Sequence, residues 1–120
     1  MKKEKYLEYL RVNGASDIEH SGEDFLSHLK GTMNILIKWE REKYLTTAGL
    51  FHSVYGTECF KDVLIPSKLR PKVQAMIGKE AEKITFFFGS MVRSHFLAQL
   101  DKKYSKSIQN LFKIVLIKKL

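Results

Sequence analysis

A chain of 120 residues with 44% hydrophobic residues is long enough for one domain with a single modest core. Charged residues make up 28% of the chain and only two residues are prolines, which is typical of a folded protein. The single cysteine, Cys59, excludes an internal disulfide and a cysteine-cluster zinc site, as expected in a reducing compartment.

The net charge of +8 is concentrated near the C-terminus. Residues 91–120 contain seven Lys or Arg residues against Asp101 alone. Such a segment can contact nucleic acid, touch an anionic membrane surface weakly, or form a solvated helix face. A nucleic-acid role has little support, because no recognised motif is present and Tyr104 and Phe112 are the only aromatic residues between the lysines.

The sequence also bears on location. No apolar stretch approaches the roughly 20 residues that span a bilayer. The first ten residues, MKKEKYLEYL, start with basic residues but lack the apolar core and cleavage site of a signal peptide. The sequence therefore predicts a soluble cytoplasmic protein, and it leaves the oligomeric state open.

The first half of the chain has helical periodicity. The first helix should end near Gly14, and a polar loop, ASDIEHSG, should follow it. The second helix should extend to about Glu40, with Ser21 as its N-cap and Glu23 and Asp24 in its first turn. Its apolar residues recur at three- and four-residue intervals: Phe25, Leu26, Leu29, Met33, Leu36, Ile37 and Trp39.

A third helix should cover about residues 42–54, after a short turn around Arg41 and before a stop at Gly56. The loop that follows, ECFKDVLIPSK, contains Pro66, which excludes a regular element at that point. The second and third helices should therefore form an antiparallel hairpin, because the turn around Arg41 that joins them is short.

Two more helices should follow, LRPKVQAMIG with Pro71 in its first turn and Gly78 at its end, and then KEAEKITFFF. The pattern predicts an all-α fold with one helical domain over residues 1–90. The segment SIQNLFKIVLIKKL favours a last helix, so that the basic residues 91–120 pack on the same domain. An interfacial membrane helix or a partner-binding helix is the alternative for this segment.

The four histidines differ in their surroundings. His28 and His52 lie on consecutive antiparallel helices at similar distances from the turn, so their imidazoles should lie at the same level. His20 precedes the second helix and could fold over them, whereas His95 has no evident partner in the sequence. Three converging imidazoles suit zinc, iron or manganese. A core histidine with both nitrogens hydrogen-bonded is the alternative.

The string AGLFHS resembles the A-G/A-L-L-H-D run of the HD-domain superfamily of metal-dependent phosphohydrolases. In that superfamily an earlier His, a His-Asp pair and a later Asp hold a divalent metal. His28 and His52 match the two histidine positions, and Ser53 replaces the Asp of the pair. Glu82, in EAEKITFF, stands at the position of the later Asp.

A closer resemblance is to a bacterial HD-like family of unknown function. It rests on GASDIEHSGEDFLSHLKGT and AGLFHSVYGTE, and with IGKEAEKI it covers roughly residues 1–88. In that family Ser53 is the ordinary residue, and His20, His28 and His52 all fall on motif positions. The resemblance therefore implies an HD-like helical bundle over residues 1–90.

The resemblance implies a metal-dependent hydrolase that acts on a phosphate ester or a nucleotide-like small molecule. The alternative is a catalytically degenerate HD-like protein that binds a small ligand or partner without chemistry, which the missing Asp favours. Ser53 and Thr57 could instead cap a helix and form the turn at Gly56. The implied metal ligands, for Zn, Fe or Mn, are His20, His28, His52, Glu58 and Glu82. The implied catalytic hydrogen-bond donors are Ser53, Tyr55 and Thr57, and Lys30 would bind the substrate phosphate.

Overall fold

A computed structural model describes residues 2–20, 22–56 and 62–90. The predicted C-terminal segment, residues 91–120, lies outside the described residues, as do its predicted membrane and partner contacts. The described elements, in chain order, are α1 (Lys2–Val12), a 3-10 turn (Ala15–Asp17), β1 (Glu19–His20), β2 (Glu23–Asp24), α2 (Phe25–Lys38), α3 (Lys43–Phe51), a second 3-10 turn (Ser67–Leu69), α4 (Arg70–Ile77) and α5 (Lys79–Ser90).

The predicted all-α class is confirmed, since five helices make up most of the described chain. The two strands have only two residues each, and they pair antiparallel with Glu19 opposite Asp24. Within the described ranges, no helix has the length and apolar character needed to cross a membrane.

The segment between α1 and α2 is more ordered than the predicted polar loop. Gly14 follows α1 with a φ of 96°, a left-handed conformation that glycine adopts without strain. The chain then forms the first 3-10 turn and the small hairpin, and the Phe25 N–H donates to the Ile18 carbonyl at 2.7 Å. This hairpin fixes the direction in which the chain enters α2.

The N-terminus of α2 differs from the prediction. Asp24, rather than Ser21, is the N-cap, because its Oδ1 accepts a hydrogen bond from the Ser27 N–H at 2.7 Å. Glu23 is likewise outside the helix. Both acidic residues belong to β2, so their extended backbone delays the start of the helix to Phe25.

The inner face of α2 carries the predicted apolar residues, with two exceptions. Ile37 and Trp39, which belong to the apolar pattern of the sequence, are each 48% exposed. Ile37 lies next to the buried Leu36, and neighbouring residues on a helix point about 100° apart. Trp39 is already the C-cap residue. The buried apolar residues of α2 are Phe25, Leu26, Leu29, Met33 and Leu36.

Helix α3 packs against both α2 and α5 and so lies at the centre of the domain. It ends at Phe51, three residues earlier than predicted, and turns continue the chain to Gly56. The Val54 carbonyl accepts hydrogen bonds from the Leu64 and Ile65 N–H groups, at 3.0 and 2.9 Å. These bonds hold the following loop against the end of α3.

Helices α4 and α5 agree with the prediction. Pro71 occupies the first turn of α4, where its missing N–H leaves no hydrogen bond unmade. Gly78 separates the two helices with a φ of 98°. Its carbonyl accepts a hydrogen bond from the Glu82 N–H at 3.1 Å, so α5 begins directly after the glycine.

Leu36 and Ile37 offer a matched test of this core. Leu36→Ala should lower the free energy of unfolding by about 2–5 kcal/mol, because it removes a fully buried side chain and leaves a cavity. Ile37→Ala should change it by about 0.5 kcal/mol or less, because its side chain is half exposed. Urea unfolding measures both values. Equal losses in the two variants would contradict the described orientation of α2.

Candidate functional site

Two buried imidazoles meet at the contact between α2 and α3. The Nε2 atoms of His28 and His52 lie 3.1 Å apart, and the ring centroids lie 5.0 Å apart. His28 is 1% exposed and His52 is fully buried. The two histidines therefore lie at the same level of the helical hairpin, as their spacing in the sequence predicts.

The second nitrogen of His52 is bonded to the backbone. Its Nδ1 lies 2.6 Å from the Gly49 carbonyl oxygen, one turn back on α3. A carbonyl oxygen can only accept a hydrogen bond, so Nδ1 carries the proton. In a neutral imidazole the Nε2 of His52 is then unprotonated, and it directs its lone pair towards His28.

Aromatic rings surround the histidine pair. The Phe25 ring is nearly parallel to the His28 ring at a centroid distance of 6.5 Å. The Phe88 ring, on α5, meets the His52 ring edge-on at 5.3 Å. These rings make the surroundings apolar, and a charge placed there requires a partner.

Ser53 adds a buried hydroxyl beside this pair in the sequence. Its side chain is fully buried, and its Oγ has no hydrogen-bond partner among the described residues. The other buried hydroxyls of the described residues donate within their own helices, Thr32 to the His28 carbonyl and Thr85 to the Ala81 carbonyl. A buried hydroxyl without a hydrogen bond is uncommon, so Ser53 is a candidate hydrogen-bond donor to a bound ligand.

A second polar cluster links α4, α5 and the turn after α3. Glu82 is only 3% exposed, and Arg70 binds both of its carboxylate oxygens, through Nε at 2.8 Å and Nη2 at 3.0 Å. The Tyr55 hydroxyl donates to the same carboxylate at 2.8 Å. The Arg70 guanidinium also lies 3.5 Å from the centre of the Phe86 ring. Both oxygens of Glu82 are thus engaged within this cluster.

The electrostatics of this cluster follow from burial and from the carboxylate. Burial, and then the hydrogen bond to Glu82, raise the pKa of Tyr55 above its ordinary value. The hydrogen bond to Glu82 raises the pKa of Arg70 as well. Tyr55 therefore stays a neutral donor, and Arg70 stays charged, over the physiological pH range.

Of the remaining predicted site residues, only Lys30 has a described side chain. The side chain of His20 lies outside the described atoms, and Thr57 and Glu58 lie outside the described residues. Lys30 is exposed on α2, and its position two residues after His28 places it on another face of that helix. Over the described ranges, no group of three or more His, Cys, Asp or Glu side chains could hold a metal.

The structure also places residues that the sequence analysis missed. Arg70 is twelve residues from Glu82 and on another helix, so no periodicity links the two. Lys79 and Lys83 could have been found from the sequence KEAEK, because like charges four residues apart share a helix face. All of these residues line one surface pocket of about 460 Å³. Its lining consists of Arg70, Pro71, Gln74, Lys79, Glu82 and Lys83.

Comparison with known proteins gives one family. The model of a domain of unknown function, DUF6817, matches residues 9–93. No curated protein and no solved structure matches the chain. The match confirms the predicted relationship to a family of unknown function. It carries no indication of the HD-domain superfamily.

The ion pair between Arg70 and Glu82 should contribute measurably to stability. Arg70→Ala leaves a buried carboxylate without its cation, and we expect a loss of about 2–3 kcal/mol. This is less than for a fully buried pair, because the Arg70 side chain is 35% exposed. Arg11→Ala is the matched control, since Arg11 pairs with Glu8 on the surface and should cost about 1 kcal/mol or less. Similar losses by urea unfolding in both variants would contradict this arrangement.

Tyr55 should make the stability depend on alkaline pH. Its pKa is raised on folding, so its contribution is complete below the unfolded value of about 10 and falls as the pH rises above it. The difference in unfolding free energy between the wild type and Tyr55→Phe should therefore be constant below about pH 10 and shrink as the pH rises to about 11. Urea unfolding at several pH values measures this difference. A difference that stays constant up to about pH 11 would show that folding does not raise the pKa of Tyr55.

Proposed function

The chain belongs to the DUF6817 family of domains of unknown function, and we propose that it is a metal-dependent hydrolase of HD-like type. Its substrate is proposed to be a phosphate ester or a nucleotide-like small molecule. One observation carries the proposal, the 3.1 Å approach of the His28 and His52 Nε2 atoms inside the domain. The resemblance of AGLFHS to the HD run supports the same reaction class.

The two histidines fit a shared divalent ion. Nitrogen ligands about 2.0–2.1 Å from a tetrahedral zinc lie roughly 3.3 Å apart, close to the observed 3.1 Å. The hydrogen bond from His52 Nδ1 to the Gly49 carbonyl is the contact that orients metal-bound imidazoles. His28 and His52 would therefore hold the ion through Nε2.

The ligand set needs more than these two residues. His20 and Glu58 remain the sequence-based candidates for the other metal ligands. Glu82 is a weaker candidate, because its carboxylate would have to leave Arg70 and Tyr55. A single ion with histidine and one carboxylate is therefore the form that we propose.

The residues of the chain would support hydrolysis in specific ways. A bound divalent ion would supply a hydroxide near neutral pH, because it lowers the pKa of its water. The Gly49 carbonyl keeps His52 in the tautomer whose Nε2 is unprotonated and faces His28. The Phe25 and Phe88 rings lie against the pair, and such apolar surroundings strengthen electrostatic interactions there. Ser53 is the candidate donor to developing charge on the substrate, because its buried hydroxyl has no described partner.

A second candidate function is ligand binding without chemistry. It is favoured because the described residues bring only two metal-type ligands together and because Glu82 is engaged by Arg70. In that case the His28 Nε2–H donates to His52 Nε2, and the pair is a neutral hydrogen bond in the core. The site would then bind a small molecule or a partner, and the missing HD aspartate would reflect lost activity.

Metal analysis separates the two candidates. Protein purified without chelator should contain near-stoichiometric zinc, iron or manganese, and His28→Gln and His52→Gln should each contain at least about tenfold less. Glu80→Gln is the control, and it should keep its metal, since it removes an exposed carboxylate of α5 that is not a candidate ligand. Chelation should lower the melting temperature of the wild type and not that of the histidine variants.

An activity assay on the same proteins completes the test. A chromogenic phosphate monoester should be hydrolysed by the wild type and not by His52→Gln. Circular dichroism should show that each variant is folded. A folded wild type that contains no metal and hydrolyses nothing would overturn the hydrolase and leave the ligand-binding candidate.

A further inference from the structure

We propose that the pocket between α4 and α5 binds a small molecule that carries a diphosphate or similar pair of phosphate groups. The pocket has a volume of about 460 Å³, which lies within the range of small-molecule sites. Its lining includes Arg70, Lys79 and Lys83. This inference rests on the pocket itself and is independent of a metal at the histidine pair.

The charge in the pocket is unbalanced. Glu82 is the only acidic residue among the described lining residues, and Arg70 already neutralises it through a two-point ion pair. Lys79 and Lys83 form no ion pair with the described residues. They lie one helical turn apart on α5, where like charges repel, so a bound anion would relieve this repulsion.

Arg70 is held in place before any ligand arrives. Glu82 fixes one edge of its guanidinium, and the Phe86 ring covers one face at 3.5 Å. The bonds to Glu82 use Nε and Nη2, so the Nη1 donors are outside this ion pair. A guanidinium fixed in this way can meet a phosphate oxygen with little loss of conformational entropy.

The spacing of the lysines favours two linked anionic groups. Side chains four residues apart on a helix start about 5–6 Å from each other at their Cβ atoms. Two flexible lysine side chains that start this close can direct their ammonium groups to neighbouring phosphoryl groups. The Gln74 amide, also in the lining, can donate to a further oxygen. The lining therefore suits a diphosphate better than a single small anion.

Titration calorimetry with pyrophosphate, at low salt and with EDTA throughout, tests this site. The wild type should bind, and Lys79→Gln/Lys83→Gln should bind at least about tenfold more weakly. Lys38→Gln/Lys43→Gln is the matched control, because it removes the same charge from two exposed lysines outside the pocket and should bind like the wild type. Absence of binding to the wild type, or an equal loss in both double variants, would overturn the proposal.

Citrate distinguishes phosphate recognition from general attraction of anions. Pyrophosphate should bind the wild type at least about tenfold more tightly than citrate, and equal or tighter binding of citrate would contradict the assignment to phosphate. Because EDTA removes divalent ions, a failed metal assay for the histidine pair would leave this result unchanged. Failure of pyrophosphate binding would likewise leave the proposed hydrolase untouched.

Discussion

The contact between His28 and His52 depends on one backbone hydrogen bond, from His52 Nδ1 to the Gly49 carbonyl. That bond sets which nitrogen of His52 faces α2, and the 3.1 Å approach of the two Nε2 atoms follows from it. Helices α2 and α3 have the most extensive mutual packing of any two elements in the described chain. The polar pair therefore lies inside the main apolar contact of the domain, where an incorrectly oriented imidazole would leave a nitrogen unbonded.

Helix α5 connects this pair to the second polar cluster. Its Phe88 covers His52, and one turn and a half earlier Glu82 holds Tyr55 and Arg70. Tyr55 follows His52 by three residues in the turn after α3. This turn therefore contacts α5 twice, through the ring contact of His52 with Phe88 and through the hydrogen bond of Tyr55 to Glu82. A change at either cluster is thus expected to reach the other through α5 and this turn. Most residues of the two clusters lie on helices rather than on loops. Helices hold the distances between site side chains more precisely than loops do.

Much of this arrangement could be predicted from the sequence. The all-α class follows from helical periodicity, and the equal distances of His28 and His52 from the turn place them at one level. The cap of α2 could not be predicted, because Ser21 and Asp24 are both good capping residues and only the small hairpin selects between them. The pairing of Arg70 with Glu82 was also missed, since it joins two helices across the break at Gly78 and has no local signature.

The most direct test of this account is a long-range proton–nitrogen NMR spectrum of the imidazoles, recorded at neutral pH with a chelator. Comparison with His52→Gln assigns the His52 signals. The account predicts that His52 is protonated at Nδ1 and not at Nε2, and that His28 is protonated at Nε2. A neutral His52 ring protonated at Nε2 would contradict the hydrogen bond to the Gly49 carbonyl, and with it the orientation of His52 on which the proposed function depends.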